Sequence, residues 1–172
     1  MKIILGASRP KHWKPGAAAI MWWEETTASH VYAVITISEN FTLVFQAVGS
    51  GTEFCSLAYF LEHSTPVYEK VVDITDKQFE SMISKLVSSL KTKYSVLHLF
   101  GLFIKRLIQY TTHKIIPVPF KDHGKSAICI QALCRLVDAS EIVRDAIDPE
   151  DMGMSEALQM LHKIPGNELL YG

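Results

Sequence analysis

The chain has 172 residues, of which 48% are hydrophobic, and its 17 basic and 18 acidic side chains give a formal net charge of −1. This length and composition are typical of a single domain with one core, which we expect to span residues 1–172. Because a nearly neutral chain has no long-range positive field, its composition argues against nucleic acid as a partner.

The first part of the chain predicts strands. Residues 1–10 indicate a short strand, and a Pro-Gly turn within residues 12–27 indicates a loop that leads into a further strand. Residues 29–38 and 42–51 are rich in β-branched and aromatic side chains and are separated by a short polar connection. This pattern predicts a β-hairpin.

The later part of the chain predicts helices. Apolar residues recur at helical intervals over residues 53–64, and an alternating strand pattern follows Pro66. Thr75 is a predicted N-cap for an amphipathic helix over residues 75–93. The remaining predicted helices are an apolar one over 95–110, one that begins at Ser126, and a short last one that begins at Ser155 or in the preceding turn and ends at Pro165. Early strands followed by helices indicate an α+β fold with an antiparallel sheet packed against helices.

The apolar helix over residues 95–110 is interrupted by charged side chains before it reaches the roughly 20 residues that a membrane crossing needs, so we expect no transmembrane segment. Helical spacing predicts that one set of side chains packs on the protein, namely Leu97, Phe100, Ile104 and Leu107. The other apolar side chains, Leu99, Leu102 and Phe103, would then be available for contact with a partner or a lipid.

Neither the first ten residues nor the cysteines suggest export. The first ten residues lack the small-residue cleavage pattern of a secretion signal. Cys55, Cys129 and Cys134 form no Cys-x-x-Cys pair, so we expect free thiols in place of a disulfide scaffold or a zinc site, and no motif indicates a cofactor. We expect a cytoplasmic or other intracellular location. The alternative location is a virus particle, of which the protein would be a component.

Cys129 is the first candidate for chemistry because it lies about three positions into a predicted helix that Ser126 caps. Unpaired N–H groups and the helix dipole at such a position favour the reactive thiolate. The same N–H groups could stabilise the oxyanion of an acyl-transfer intermediate. The alternative is that Cys129 is a small core residue, the usual role of a cysteine.

A cysteine nucleophile needs a base, and His30 lies at the start of a predicted strand that could hold its ring. Gln46 is a polar residue in the otherwise apolar second strand of the hairpin, and its amide oxygen could orient an imidazole. An ideal hairpin places Gln46 opposite Val34, on the order of 13 Å from His30 along the strand, so a bulge or strong twist must close the gap. Otherwise Gln46 is a glutamine that bonds only to backbone.

Four segments together resemble a known family. They are "SHVYAVI", "VFQAVGSG", "KYSVLHLFG" and "AICIQALCRLV". Their order is similar to that in the circularly permuted NlpC-type cysteine hydrolases, papain-like proteins related to the lecithin retinol acyltransferase-like enzymes. The similarity covers roughly residues 13–140. The chain departs from it at Ile130, where many members have serine, and at Gln46, where many have glutamate or histidine.

The resemblance implies a circularly permuted papain-like fold with Cys129 as nucleophile, His30 as general base and Gln46 as the orienting residue. It implies a hydrolase or peptidase that cleaves an amide, for which a cell-wall peptide is one substrate. Two alternatives remain open: a non-catalytic binding or assembly module, and a lipid acyltransferase or lipid amide hydrolase. The sequence also leaves open whether Trp13, Trp22 and Trp23 line a groove or fill the core.

Overall fold

The computed structural model describes residues 1–38, 41–90, 93–94, 96–113, 117, 119, 126–127, 129–139 and 152–171. The strands are β1 (Lys2–Pro10), β2 (His30–Ser38), β3 (Phe41–Val48), β4 (Gly51–Ser56), β5 (Ser64–Asp73), β6 (Lys93–Tyr94), β7 (Ser126–Ala127) and β8 (Asn167–Leu170). The helices are α1 (Pro15–Trp23), α2 (Leu57–His63), α3 (Asp76–Ser89), α4 (Val96–Thr112), α5 (Cys129–Ala139) and α6 (Met154–Lys163).

The main sheet of the described residues has six strands in the order β4-β3-β2-β1-β5-β8, and each neighbouring pair is antiparallel. The short strands β6 and β7 pair with each other in parallel. This architecture confirms the predicted α+β class and the antiparallel sheet.

The two faces of the sheet are covered differently because side chains alternate along each strand. Val31 and Ala33 of β2 and Phe45 of β3 lie in the larger core, to which α3, α5 and α6 contribute buried side chains. Tyr32 and Val44 lie on the opposite face, where they pack with Phe60 of α2 in a smaller cluster. Strands β2 and β3 are therefore covered on both faces.

Several predicted elements are present. The predicted hairpin corresponds to β2 and β3, and the strand predicted after Pro66 corresponds to β5. Thr75 caps α3 with a capping box: its hydroxyl accepts from the backbone N–H of Gln78, and the Gln78 side chain accepts from the backbone N–H of Thr75. The last helix begins in the turn before Ser155, one of the two predicted starts.

The prediction that residues 12–27 form a loop leading into a strand was wrong, because residues 15–23 form helix α1. Pro15 occupies the first turn, where its missing N–H costs nothing, and the alanines that follow are the strongest helix formers. Four strands also differ from the prediction. Strand β4 replaces the first part of the helix predicted over 53–64, β6 lies at the end of the helix predicted over 75–93, β7 lies at the predicted start of the helix at Ser126, and β8 was not predicted.

The faces predicted for α4 were wrong. Phe100 and Leu107, expected to pack on the protein, are 51% and 47% exposed, whereas Leu102 is 4% exposed. The side chains of Leu97 and Leu99 lie outside the described part of the chain. Among the helices of the described residues, none combines the length and the apolar character that a membrane crossing needs.

Helix α1 ends in a Schellman motif whose left-handed residue is Glu25. Glu24 is the C-cap, and Glu25 follows it with a φ of 53°. The Thr26 N–H donates to the Met21 carbonyl at 3.1 Å, and the Glu25 N–H donates to the Trp22 carbonyl at 3.4 Å. Glycine usually takes this position, because the left-handed conformation costs other residues about 1–2 kcal/mol.

We therefore expect Glu25→Gly to raise the free energy of unfolding by about 0.5–1 kcal/mol, since relief of strain outweighs the greater entropy of glycine in the unfolded chain. Urea denaturation measures this change. Ala18→Gly, inside the same helix, should instead lower the free energy of unfolding by about 1 kcal/mol. A Glu25→Gly variant no more stable than the wild type would contradict the expected strain.

Candidate functional site

His30 and Gln46 are in contact. The His30 Nε2 and the Gln46 Oε1 are 3.1 Å apart. Gln46 lies opposite Tyr32 and not opposite Val34, which is two residues closer to His30 than in the ideal hairpin. A β-bulge between Thr36 and Ser38 accounts for one of these residues, and the pairing of Ser38 with Phe41 at the end of the hairpin accounts for the other.

The orientation of the Gln46 amide follows from its other contacts. Its Nε2 donates to the Glu53 carboxylate at 3.2 Å and to the Cys55 sulfur at 3.5 Å. The Gln46 oxygen must then face His30 as an acceptor, so the His30 Nε2 carries the proton. In the neutral ring, the His30 Nδ1 is left with its lone pair.

Burial controls the charge of His30. Burial lowers its pKa to about 4, the hydrogen bond to Gln46 opposes this shift, and the positive charge of Lys14 adds slightly to it. The imidazole is therefore neutral at pH 7. A neutral ring with a free lone pair is the form that accepts a proton.

The low pKa of His30 predicts a pH dependence of stability. The folded protein protonates His30 only near pH 4, whereas the unfolded chain does so near 6.5, so the unfolded chain binds more protons between these values. The stabilising contribution is complete above the unfolded pKa and is lost as the pH falls toward the folded one. We expect acidification from pH 7 to pH 5 to lower the free energy of unfolding by about 2 kcal/mol more in the wild type than in His30→Gln.

Urea denaturation at both pH values tests this expectation, with His12→Gln, a variant at an exposed histidine, as the control. The control should keep the pH dependence of the wild type. If His30→Gln also kept it, His30 would not be the group that titrates.

Cys129 is the first residue of α5, two or three positions nearer the helix start than predicted, because Ser126 belongs to β7. Its side chain is buried, at 6% exposure. Burial raises the pKa of the Cys129 thiol, and the backbone amides of Val31, Ile130 and Cys129 itself lower it by smaller amounts. The sulfur thus lies against the amide of the residue that follows His30.

Cys129 and His30 approach the start of β2 from its two faces. Cys129 belongs to the core that contains Val31 and Ala33. His30 alternates with Val31 and bonds to Gln46, whose strand partner Tyr32 belongs to the opposite cluster. The structure brings His30 and Gln46 together and places the Cys129 thiol beside the backbone amide of Val31. Among the described residues, no hydrogen bond joins the Cys129 thiol to the His30 ring.

An open groove of about 600 Å³ adjoins His30 and Gln46. Lys14 lines it from the start of α1, and Tyr59 and His63 line it from α2. The sequence interpretation did not include Lys14 because residues 12–27 were expected to be a loop and a strand. The Pro15-Gly16 start and the alanines that follow could have indicated a helix there.

The other two cysteines were expected to be core residues, and the structure buries Cys134 fully and Cys55 partly. Cys134 is 1% exposed and its sulfur lies 3.6 Å from that of Met152, within the main core. Cys55 is partly buried, and burial together with the charge of Glu53 raises its pKa. Within the ranges that the structure describes, no three His, Cys, Asp or Glu side chains gather as metal ligands would.

No protein-family model matches this chain, and no curated protein matches it either. The interpretation of the site therefore depends on its geometry and on the resemblance of the four short segments.

Proposed function

We propose that this chain is a small thiol hydrolase with a circularly permuted papain-like fold, which cleaves an amide bond through an acyl-enzyme on Cys129. The observation that carries the proposal is the hydrogen bond of 3.1 Å between the His30 Nε2 and the Gln46 Oε1. It holds the ring in the tautomer in which Nδ1 can accept a proton. The Asn of Cys-His-Asn sites performs the same task.

In the proposed reaction, the His30 Nδ1 accepts the thiol proton while the Cys129 sulfur attacks the carbonyl carbon. Backbone N–H groups at the start of α5 stabilise the resulting oxyanion. The intermediate collapses as the proton passes to the leaving amine nitrogen, and water then releases the acyl group as a carboxylate and restores the thiol. Attack requires Nδ1 and the sulfur to meet. Because Cys129 and His30 lie against opposite faces of β2, the start of β2 or of α5 must shift when substrate binds.

The groove favours a peptide over a purely apolar lipid amide as the substrate. Lys14 and His63 line it together with the hydroxyl-bearing Ser50 and Tyr59. The Glu53 carboxylate also lines it, and accepts hydrogen bonds from Gln46 and Ser50. A lysine ammonium is well suited to bind a carboxylate of the substrate. We therefore expect the substrate to be a peptide that carries a carboxylate near the bond that is cleaved.

Alkylation by iodoacetamide at pH 7, followed by mass spectrometry of each cysteine peptide, tests the proposal. If His30 assists the removal of the thiol proton, His30→Ala should slow the modification of Cys129 on the order of tenfold. Gln46→Ala should have a smaller effect, because it removes the orienting contact and keeps the base. The rates at Cys55 and Cys134 in the same variants serve as internal controls.

The second candidate function is a non-catalytic binding or assembly module. The burial of Cys129 and its raised pKa favour this alternative, because both suppress the reactive thiolate. In that case Cys129 should react no faster than Cys134, at a rate that His30→Ala leaves unchanged. This outcome would contradict the hydrolase proposal and would leave the groove as a binding site.

A further inference from the structure

A second cavity lies between the end of α1 and helix α4. Its volume is about 280 Å³, slightly below the roughly 300 Å³ at which sites for drug-sized ligands begin. Four aromatic side chains line it, namely Trp22, Trp23, Phe103 and Tyr110. The cavity is thus of a size for a small group that is surrounded by rings.

Two of the rings form a fixed wall. The ring centroids of Trp23 and Phe103 are 5.1 Å apart, in a tilted arrangement. The Trp23 Nε1 donates to the Glu24 carboxylate at 3.2 Å, and Glu24 is itself buried. These contacts hold the Trp23 ring in place before any ligand arrives.

The other two rings are exposed to solvent. Trp22 and Tyr110 are 79% and 81% exposed, although they stand at the same cavity. Large aromatic side chains left this open contribute little to the stability of the fold. Together with Leu107, which is 47% exposed, they form an apolar patch of the kind that marks a binding site.

The charges around the cavity favour a cation. Among the described residues, the basic side chain that lines it is Arg106, which lies 3.2 Å from the Glu24 carboxylate and 3.6 Å from that of Glu156. Glu25 adds a third carboxylate, exposed at the cavity wall. Three carboxylates around one guanidinium leave the neighbourhood negative.

Glu25 also occupies a position where its backbone is strained. Its φ of 53° places it in the left-handed region at the end of α1, where glycine would be free of strain. A residue held in this conformation commonly serves function at some expense of stability. Among the described residues that line the cavity itself, its side chain supplies the carboxylate.

We propose that this cavity, distinct from the groove at His30, binds a small quaternary ammonium group such as that of choline. Aromatic faces attract a cation within about 6 Å of the ring centroid, and tryptophan does so most strongly. Glu25 supplies the opposite charge at the rim. The methyl groups of such a cation also bury apolar surface against the rings.

Titration with choline chloride, followed by tryptophan fluorescence, tests the proposal. The neutral analogue 3,3-dimethyl-1-butanol has the same shape without the charge and should bind roughly tenfold more weakly, since it lacks the cation–π attraction. Sodium chloride at equal ionic strength should give no saturable change. Equal binding of the neutral analogue would overturn the proposal.

Variants locate the site. Glu25→Gln keeps the backbone strain and should weaken choline binding several-fold, and Tyr110→Ala, at an exposed side chain, should weaken it to a similar degree. Trp13→Phe is the matched control, because Trp13 is also 79% exposed but does not line this cavity. Unchanged binding in both cavity variants would overturn the assignment.

Phosphatidylcholine vesicles distinguish the source of the ammonium group. Co-sedimentation that choline competes away would identify a lipid head group as the source, and binding of free choline alone would identify a soluble ligand. Both results support the ammonium site. Because the titration does not involve Cys129, its outcome is independent of whether the chain is a hydrolase.

Discussion

Replacement of Glu24 by alanine should lower the free energy of unfolding by about 3 kcal/mol, since it removes one partner of a buried charge network. The Glu24 carboxylate accepts from the Arg106 guanidinium at 3.2 Å and from the Ser155 backbone N–H and hydroxyl at 3.3 and 3.1 Å. Its other oxygen accepts from the Trp23 Nε1. One side chain thus connects the end of α1 with α4 and with the start of α6.

The magnitude follows from burial. The Glu24 side chain is 3% exposed. The Arg106 side chain is 31% exposed and would keep Glu156 as a partner. The expected loss of free energy of unfolding therefore lies near the lower end of the range for broken buried ion pairs. Urea denaturation measures it. Glu156→Ala is the control: its side chain is 25% exposed, and its loss, which also removes the acceptor for the Gly153 N–H at the start of α6, should cost about 1 kcal/mol. Equal costs for the two variants would contradict a central role for Glu24.

Gly6→Ala should lower the free energy of unfolding by about 2–4 kcal/mol, since it overpacks the smaller core on the face that carries His30. A Cβ atom at Gly6 would lie 2.5 Å from the Cζ and 2.7 Å from the hydroxyl oxygen of Tyr32. The Tyr32 ring has no room to move aside. It is 1% exposed, its hydroxyl donates to Glu69 at 2.6 Å, and its ring centroid lies 4.4 Å from that of Phe60.

The consequence of Gly6→Ala is measurable as a fall in Tm of roughly 4–16 °C for a chain of this size. Gly16→Ala is the matched control, because a Cβ there meets nothing within 4 Å and alanine favours helix α1. It should leave Tm unchanged or raise it slightly. A Gly6→Ala variant as stable as Gly16→Ala would show that the sheet relaxes around the added methyl group.

Part of the site could be predicted from sequence and part could not. His30, Gln46 and Cys129 could each be identified as candidates from the residue type and from its place in a predicted strand or helix. Their spatial relation could not be identified in this way, because it depends on the bulge in β2 and on the face of the sheet on which α5 packs. For Trp22 and Trp23 the sequence left a groove and the core as alternatives, because the cavity that they line requires residues 15–23 to form a helix that lies against α4.

The sequence by itself determined the features that depend on neighbouring residues. Runs rich in β-branched and aromatic side chains specify the hairpin of β2 and β3, and Thr75 with Gln78 specifies the start of α3, because both patterns act within a few residues. Only the tertiary structure decided which face of α4 is buried, since its apolar residues surround much of the helix and local spacing offers more than one solution. The same holds for the meeting of Glu24 with Arg106 and of His30 with Gln46, because these contacts join segments that local propensity treats as independent.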